Sequence, residues 1–215
     1  CDCILIGTKK HIEILSRKEL AQPFGLKALA GELKKFLTAK TYPVRIMGVI
    51  NVNEDSFFEG SRFAAKDAIA QCQKMITEGA KIIDIGAVSS RPGAKEVSAE
   101  EELERIKPIC DAIVEHKLYE KALLSIDSYT PGVVEYALNS GFGLINDITG
   151  ASNDALIQLA VRYHTKLCIM HMQGTPQTMQ HHPFYEDVTA EVSSFFEERI
   201  TKCEAMGLSR KQIIL

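Results

Sequence analysis

The stretch Ile82-Ile-Asp-Ile-Gly-Ala-Val-Ser-Ser-Arg-Pro-Gly93 decides the fold, because it joins a short apolar strand directly to a polar, sharply turned loop. Two other parts of the chain repeat the arrangement: an apolar run at 46–50 precedes Asn51-Val-Asn-Glu-Asp-Ser-Phe57, and another at 122–126 precedes Asp127. Apolar runs of this kind are typical of parallel strands buried on both faces. In parallel α/β folds functional side chains collect at the carboxyl ends of the strands, so the pattern predicts an enzyme.

Outward from this stretch, apolar runs alternate with segments of 3.6-residue periodicity. The predicted strands are 44–50, 81–86, 122–127, 143–147, 166–171 and one that starts at 212. The predicted helices are 64–78, 99–115, 131–139, 154–163 and 185–206. This succession predicts the fold class α/β, a (β/α)8 TIM-type barrel of which about five and a half βα units are present. The last apolar run stops at Leu215 and such a barrel needs about 250 residues, so we expect a truncated sequence.

Residues 1–42 have a different pattern, which predicts an N-terminal extension ahead of a barrel at 43–215. Segments 3–7 and 11–15 could pair as a short hairpin, and 25–37 has the periodicity of an amphipathic helix. In many barrels such a segment covers the N-terminal end. A separate module is the alternative, and the sequence does not decide between them.

Composition excludes several classes of function. A net charge of −3 and a pI of about 6.1 give no general attraction to nucleic acid or anionic membranes. Apolar runs fall far below the roughly 20 residues that cross a bilayer, and no signal peptide opens the sequence. The six cysteines are scattered without a C-x-x-C pair, which favours reduced thiols. We therefore expect a cytoplasmic protein that binds neither nucleic acid nor membrane.

Asn51 is a candidate metal ligand. An Asn that closes a strand can simply satisfy loop backbone. Its carboxamide oxygen can also ligate a hard cation, with Asp55 or Glu59 nearby in the loop. Mg²⁺ held by few protein ligands and by substrate phosphates fits so sparse a site.

Arg91 is a candidate anion-binding residue. Its guanidinium is a planar fork of donors suited to phosphate or carboxylate oxygens. Pro92 and Gly93 fix the turn that presents it, and Ser90 adds a hydroxyl donor. The loop therefore predicts a local anion site in a protein of negative net charge.

Asp127 ends one predicted strand and Asn146-Asp147 the next, and Asp127 and Asn146 are candidates for binding a flat heterocycle. A carboxylate and a carboxamide together match an edge that carries N–H and C=O groups. Either residue alone could instead bond loop backbone. Met170 could contact the ring through its thioether, although a strand Met is more often core.

Together these segments resemble the dihydropteroate synthases, folate-pathway enzymes inhibited by sulfonamides. The matching segments are 47–57, 83–94, 125–127, 145–148 and 170–176. The resemblance implies a transferase that joins 6-hydroxymethyl-7,8-dihydropterin diphosphate to 4-aminobenzoate and releases pyrophosphate. It implies Mg²⁺ as the cofactor, these two small molecules as partners, and a homodimer, although the helix faces do not show the dimer.

On the diphosphate side the resemblance implies that Asn51 binds Mg²⁺ and the diphosphate. Ser90 and Arg91 would hold the diphosphate or the aminobenzoate carboxylate, and Phe57 and Pro92 would line the aminobenzoate pocket.

On the pterin side the resemblance assigns Asp127, Asn146, Ile148 and Met170 to the pterin pocket. Asp127 would also join Asn51 and Arg91 as a catalytic residue.

The sequence departs from the family in places. Asn53-Glu54 replace the usual Thr-Pro, and Ala87-Val-Ser-Ser-Arg-Pro92 replaces Gly-Glu-Ser-Thr-Arg-Pro. The family's Asp-Pro-Gly segment, pterin-side Lys and Ser-x-Arg-x-His motif would follow Leu215, so we expect the 215 residues alone to be inactive. A pterin-binding methyltransferase domain and a non-catalytic pterin-binding homologue are the alternatives.

Overall fold

The structure is a computed structural model that describes residues 3–8, 11–16, 44–52, 61–88, 97–175, 178–179 and 182–215. It divides into two compact units, Cys1–Val44 and Arg45–Leu215. In the first unit, β1 (Cys3–Thr8) and β2 (His11–Ser16) pair antiparallel, as the sequence predicts. The helix predicted at 25–37 lies outside the described residues, and the role of the extension stays a prediction.

The second unit contains a parallel sheet whose strand order follows the chain. Its strands are β3 (Met47–Asn51), β4 (Ile82–Gly86), β5 (Leu123–Asp127), β6 (Leu144–Asp147), β7 (Lys166–Ile169) and β8 (Ile213–Ile214). Every neighbouring pair is parallel. A doubly wound sheet would reverse its order at a switch point, whereas a (β/α)8 barrel keeps it consecutive. The predicted fold class is therefore confirmed.

Helices connect consecutive strands of this sheet. They are α1 (Ser61–Thr77), α2 (Ala99–Glu115), α3 (Pro131–Asn139), α4 (Asp154–Arg162) and α5 (Val188–Ala205). The Ser98 hydroxyl accepts a hydrogen bond from the Glu101 N–H at 3.2 Å, which caps α2 where the sequence predicts its start. None of the helices among the described residues has the length and apolar character needed to cross a membrane.

The two faces of the sheet have different chemistry. Ile85, Ile126, Ile145 and Leu167 stand opposite one another on adjacent strands and are completely buried. These residues belong to the apolar core that the helices share with the sheet. Because side chains alternate along a strand, the residues that follow each of them point to the other face, the interior of a barrel.

One strand ends earlier than predicted. The predicted strand 166–171 stops at Ile169 because its neighbour β6 ends at Asp147. The Met170 N–H still donates to the Asp147 carbonyl at 3.2 Å, and this is the last ladder-like contact. Met170 and His171 thus belong to the loop beyond the strand.

Candidate active site

A row of polar residues crosses the carboxyl end of the sheet. Asn51 stands opposite Gly86, Gly86 opposite Asp127, and Asp127 opposite Asn146. Neighbouring strands lie about 4.8 Å apart, so about 10 Å separates the Cα atoms of Asn51 and Asp127. The structure therefore brings together three residues that the sequence singles out, from three different strands. Gly86 leaves room for the acid: a Cβ there would lie 3.2 Å from Asp127 Oδ2.

The carboxyl group of Asp127 has an unusual environment. Burial is the largest cause, and the nearby carboxylates of Asp84, Glu102 and Asp147 add to it in that order; together they raise the pKa of Asp127 to about 7. Near neutral pH this residue therefore exists in both protonation states, and a positively charged or hydrogen-bond-donating ligand would favour the ionised one.

Asn146 is held by a buried acid that sequence reasoning missed. The Asn146 Nδ2 donates to Oδ2 of Asp84 at 3.1 Å, and Asp84 is only 4% exposed. Burial raises the pKa of Asp84, and the Ser125 hydroxyl and Asn146 amide partly offset this. Among the described residues, Asp84 Oδ1 and Ser125 Oγ have no partner with hydrogen-bond geometry. The sequence feature that could have identified Asp84 is its position as a carboxylate in the middle of the apolar run Ile82–Gly86.

Asp147, next to Asn146, has a structural role. Its Oδ1 accepts from the N–H and the hydroxyl of Thr149 at 2.8 and 2.6 Å, and its Oδ2 accepts from the Ala151 N–H at 2.8 Å. These bonds fold the loop after β6 and thereby fix Ile148. Met170 lies beside this loop through its bond to the Asp147 carbonyl. Both predicted pterin-side apolar residues are half-buried at the end of β6 and β7.

The first turns of α2 tie two active-site loops together. Glu102 is buried, and its Oε2 accepts from the Thr130 hydroxyl at 2.6 Å in the loop after β5. Arg105 is also buried, and its Nη1 donates to the Ala87 carbonyl at 3.3 Å, where the loop after β4 begins. Glu102 and Arg105 are three residues apart on a buried face of α2. This spacing of charged residues could have indicated the two contacts from the sequence, but the sequence analysis did not use it.

Several predicted site residues lie outside the described residues: Phe57, Ser90, Arg91 and Pro92, together with Asp55 and Glu59. Of the predicted set, the structure places Asn51, Asp127, Asn146, Ile148 and Met170 at the same end of the sheet.

The residues at this end of the sheet suit a metal ion that is held by one or two protein ligands better than one that is enclosed by several. The described ranges contain no group of three or more His, Cys, Asp or Glu side chains able to hold a metal. Asn51 is an exposed residue at the end of β3. Its carboxamide oxygen suits Mg²⁺, which takes few protein ligands and keeps water or phosphate oxygens around it.

Comparison with known proteins finds one family and many relatives. The family model for pterin binding enzymes matches residues 47–215. The chain is 39% identical over 204 residues to the bifunctional dihydropteroate synthase/dihydropteroate reductase of Helicobacter pylori, covering 94% of this chain and 54% of that protein. It is 40% identical over 171 residues to the dihydropteroate synthase of Escherichia coli K12, covering 79% and 60%. The chain thus spans somewhat more than half the length of these relatives.

A solved structure supports the same fold. The Burkholderia cenocepacia dihydropteroate synthase, crystallised with 7,8-dihydropteroate, matches with a TM-score of 0.68 and 36% identity. The match covers 81% of this chain and 58% of that one.

Proposed function

Because the chain belongs to the pterin binding enzyme family, we propose that it forms part of a dihydropteroate synthase. The reaction condenses 6-hydroxymethyl-7,8-dihydropterin diphosphate with 4-aminobenzoate to give 7,8-dihydropteroate and pyrophosphate. The observation that carries the proposal is the polar row in which Asn51, Asp127 and Asn146 share one end of the sheet. The product bound in the Burkholderia cenocepacia relative supports it.

The pterin ring is assigned to the end of β5 and β6. Asp127 and Asn146 stand opposite each other on adjacent strands and supply acceptors and a donor about 5 Å apart between Cα atoms. Ile148 and Met170, just beyond the strands, supply apolar contacts for the ring. The cleft therefore offers the polar edge and apolar walls that a small heterocycle needs.

The diphosphate is assigned to the end of β3, about 10 Å away. Asn51 would hold Mg²⁺ there, and the ion would supply positive charge against the leaving phosphate oxygens. Following the family resemblance, Ser90 and Arg91 bind the same anion or the aminobenzoate carboxylate, and Phe57 and Pro92 border the aminobenzoate.

The chain's contribution to the chemistry is orientation and charge balance. The bond between the exocyclic methylene carbon and the diphosphate oxygen breaks, and its electron pair leaves with the diphosphate. The arylamine nitrogen bonds to that carbon and loses a proton to solvent. The ionised Asp127 lies where positive charge develops on the pterin, and it stabilises that charge.

The alternatives receive less support. The named relatives are dihydropteroate synthases, which favours this activity over a methyltransferase or a non-catalytic homologue. Cys72, Cys110, Cys168 and Cys203 are free, which fits the reducing cytoplasm where we place the protein. We also retain the homodimer that the resemblance implies, and analytical ultracentrifugation tests it.

Turnover by the full-length protein that contains these 215 residues tests the proposed function. Incubation with the pterin diphosphate, 4-aminobenzoate and Mg²⁺ should yield 7,8-dihydropteroate and pyrophosphate in equal amounts, measured by mass spectrometry and a phosphate assay. Chelation of the metal should stop the reaction. Arg91→Ala should lower kcat/KM by about 100-fold or more, whereas Arg162→Ala on α4 should not change it. The absence of product from the wild-type protein would contradict the proposed function.

A further inference from the structure

Asp84 has no role in the function proposed so far, although its environment is costly. It lies in the middle of β4, is 4% exposed and has only apolar neighbours in its own strand. A buried carboxyl group without full hydrogen bonding destabilises the folded state. A residue kept at that cost needs an explanation, and apolar packing alone would be better served by a valine or leucine.

The contact of Asp84 crosses an intervening strand. Asp84 is on β4 and Asn146 on β6, while β5 lies between them. Their side chains nevertheless meet at 3.1 Å above Ser125, a completely buried residue of β5 that stands opposite Asp84. The pair therefore spans β5 on the barrel face of the sheet and joins Asn146 of the polar row to an acid two residues before Gly86.

This contact fixes the direction of the Asn146 carboxamide. A free carboxamide can rotate by half a turn and exchange its oxygen for its NH₂ group. A carboxyl oxygen that carries no proton only accepts hydrogen bonds, so the group that faces Asp84 Oδ2 is the donor Nδ2, as the 3.1 Å contact shows. The carbonyl oxygen Oδ1 and the second N–H of Asn146 are then left for a ligand in one orientation only.

We propose that Asp84 is a positioning residue that locks the Asn146 carboxamide so that it recognises the donor and acceptor order of a pterin edge. The proposal rests on the proposed function for the identity of the ligand. Asp84 itself touches no reacting atom and acts through Asn146. Removing it should therefore weaken recognition of the pterin and leave the aminobenzoate side unchanged.

The test is a double-mutant cycle on pterin binding. Asp84→Leu keeps the branched shape but removes the acceptor, and Asn146→Ala removes the group that Asp84 positions. Calorimetry with 6-hydroxymethylpterin should show that Asp84→Leu raises Kd about tenfold in the wild-type background. In the Asn146→Ala background the same change should raise Kd less than twofold, because the two residues act as one unit.

Two further variants distinguish the positioning of Asn146 from the effect of the Asp84 charge and from a nonspecific effect of losing a carboxylate. Asp84→Asn keeps an acceptor oxygen but adds an NH₂ group, so it only partly fixes the Asn146 carboxamide and should raise Kd by less than Asp84→Leu does. Asp67→Asn removes an exposed carboxylate on α1 and should leave Kd unchanged. In turnover, Asp84→Leu should raise the KM for the pterin diphosphate about tenfold while the KM for 4-aminobenzoate changes less than twofold. Should the leucine variant fail to fold, Asp84→Ser, which is too short to reach Asn146, replaces it.

The outcomes distinguish this inference from the proposed function. Equal losses from Asp84→Leu with and without Asn146 would overturn the positioning role, as would a wild-type Kd in the Asp84→Leu variant or a larger loss in Asp84→Asn than in Asp84→Leu. A protein that shows the expected cycle with 6-hydroxymethylpterin but makes no dihydropteroate would overturn the proposed function and leave the positioning role in place. A wild-type protein that does not bind the pterin would overturn both.

Discussion

At the scale of single residues, Asp127 is a strand-end acid whose pKa is raised to about 7. It ends β5, and three other carboxylates, from β4, α2 and β6, raise the pKa that burial has already raised. Clustering acids in this way opposes ionisation in the absence of a ligand. A cationic or donor-rich ligand would relieve that cost, which is a physical reason to find such a cluster at a binding site.

This environment makes stability depend on pH. The pKa of Asp127 is about 7 in the folded protein and near 3.9 in the unfolded chain. The contribution of the Asp127 side chain to the free energy of unfolding is therefore fully present below about pH 4 and is lost as the pH rises through 7. Asp127→Asn cannot ionise. Relative to wild type, it should increase the free energy of unfolding by about 1–2 kcal/mol more at pH 8 than at pH 5.

Urea unfolding at the two pH values measures this difference. Asp67→Asn, the exposed control on α1, should show the same free energy relative to wild type at both pH values. An Asp127→Asn effect that does not change between pH 5 and pH 8 would contradict the assigned environment.

Gly86 contributes by the side chain that it lacks. A Cβ at this position would lie 3.2 Å from both Cβ and Oδ2 of Asp127, closer than side chains normally pack. Gly86→Ala should therefore displace the carboxylate and raise the Kd for 6-hydroxymethylpterin about tenfold, which corresponds to roughly 1.4 kcal/mol. Calorimetry measures the change.

The control for this variant is Gly132→Ala in α3, where an added Cβ meets no atom within 4 Å. That change should leave the Kd unchanged and stabilise the helix by about 0.5–1 kcal/mol. Wild-type pterin affinity in Gly86→Ala would show that the position of Asp127 does not depend on this space.

At the scale of elements, α2 links two loops of the candidate site. Glu102 reaches Thr130 after β5, and Arg105 reaches Ala87 after β4. Both anchors are on one helix between those strands, so a displacement of α2 would move both loops together. The helix thus has a part in the site although none of its residues is assigned to a ligand.

Thr130→Val tests the anchor after β5. The substitution keeps the shape of the side chain but removes the hydroxyl that donates to buried Glu102. It should lower the free energy of unfolding by about 1–3 kcal/mol, the cost of leaving a buried acceptor without that donor.

Thr201→Val provides the matched control. The Thr201 hydroxyl is exposed on α5 and donates to the Glu197 carbonyl, so its loss should change the free energy of unfolding by less than about 0.5 kcal/mol. Equal effects of the two substitutions in urea titrations would show that the contact between Glu102 and Thr130 does not anchor the loop.

The sequence predicted most elements because local signals agree with the packing. The first residues of α2 and α3 match the prediction because Ser98 caps the start of α2 and Pro131 is the first residue of α3. The predicted end of β7 was wrong because a strand continues only while a neighbouring strand pairs with it. β6 ends at Asp147, and the sequence of β7 contains no information about where β6 ends. Local patterns therefore locate elements but not the limits of their pairing.

The site divides in the same way. Asp127 and Asn146 were predictable because polar residues at strand ends converge in a parallel sheet. Asp84 was missed because its contact depends on a register that crosses β5. Asp147, which sequence analysis grouped with Asn146, points elsewhere and folds its own loop.

At the scale of the whole molecule, the second unit is a consecutive parallel sheet whose outer face is apolar and whose carboxyl edge is polar. Burial of the outer face against helices stabilises the fold and leaves the polar row free to bind ligands. The central claim is that the ends of β3, β5 and β6 form one pocket, with the pterin at Asp127 and Asn146 and the diphosphate at Asn51.

The most direct measurement is a crystal structure of the full-length protein that contains these 215 residues, bound to 7,8-dihydropteroate. The account predicts that the pterin ring lies within about 3.2 Å of a polar atom of Asp127 and of Asn146, with Asn146 Nδ2 still bonded to Asp84. A pterin bound at another part of the molecule, or one that contacts neither side chain, would contradict it.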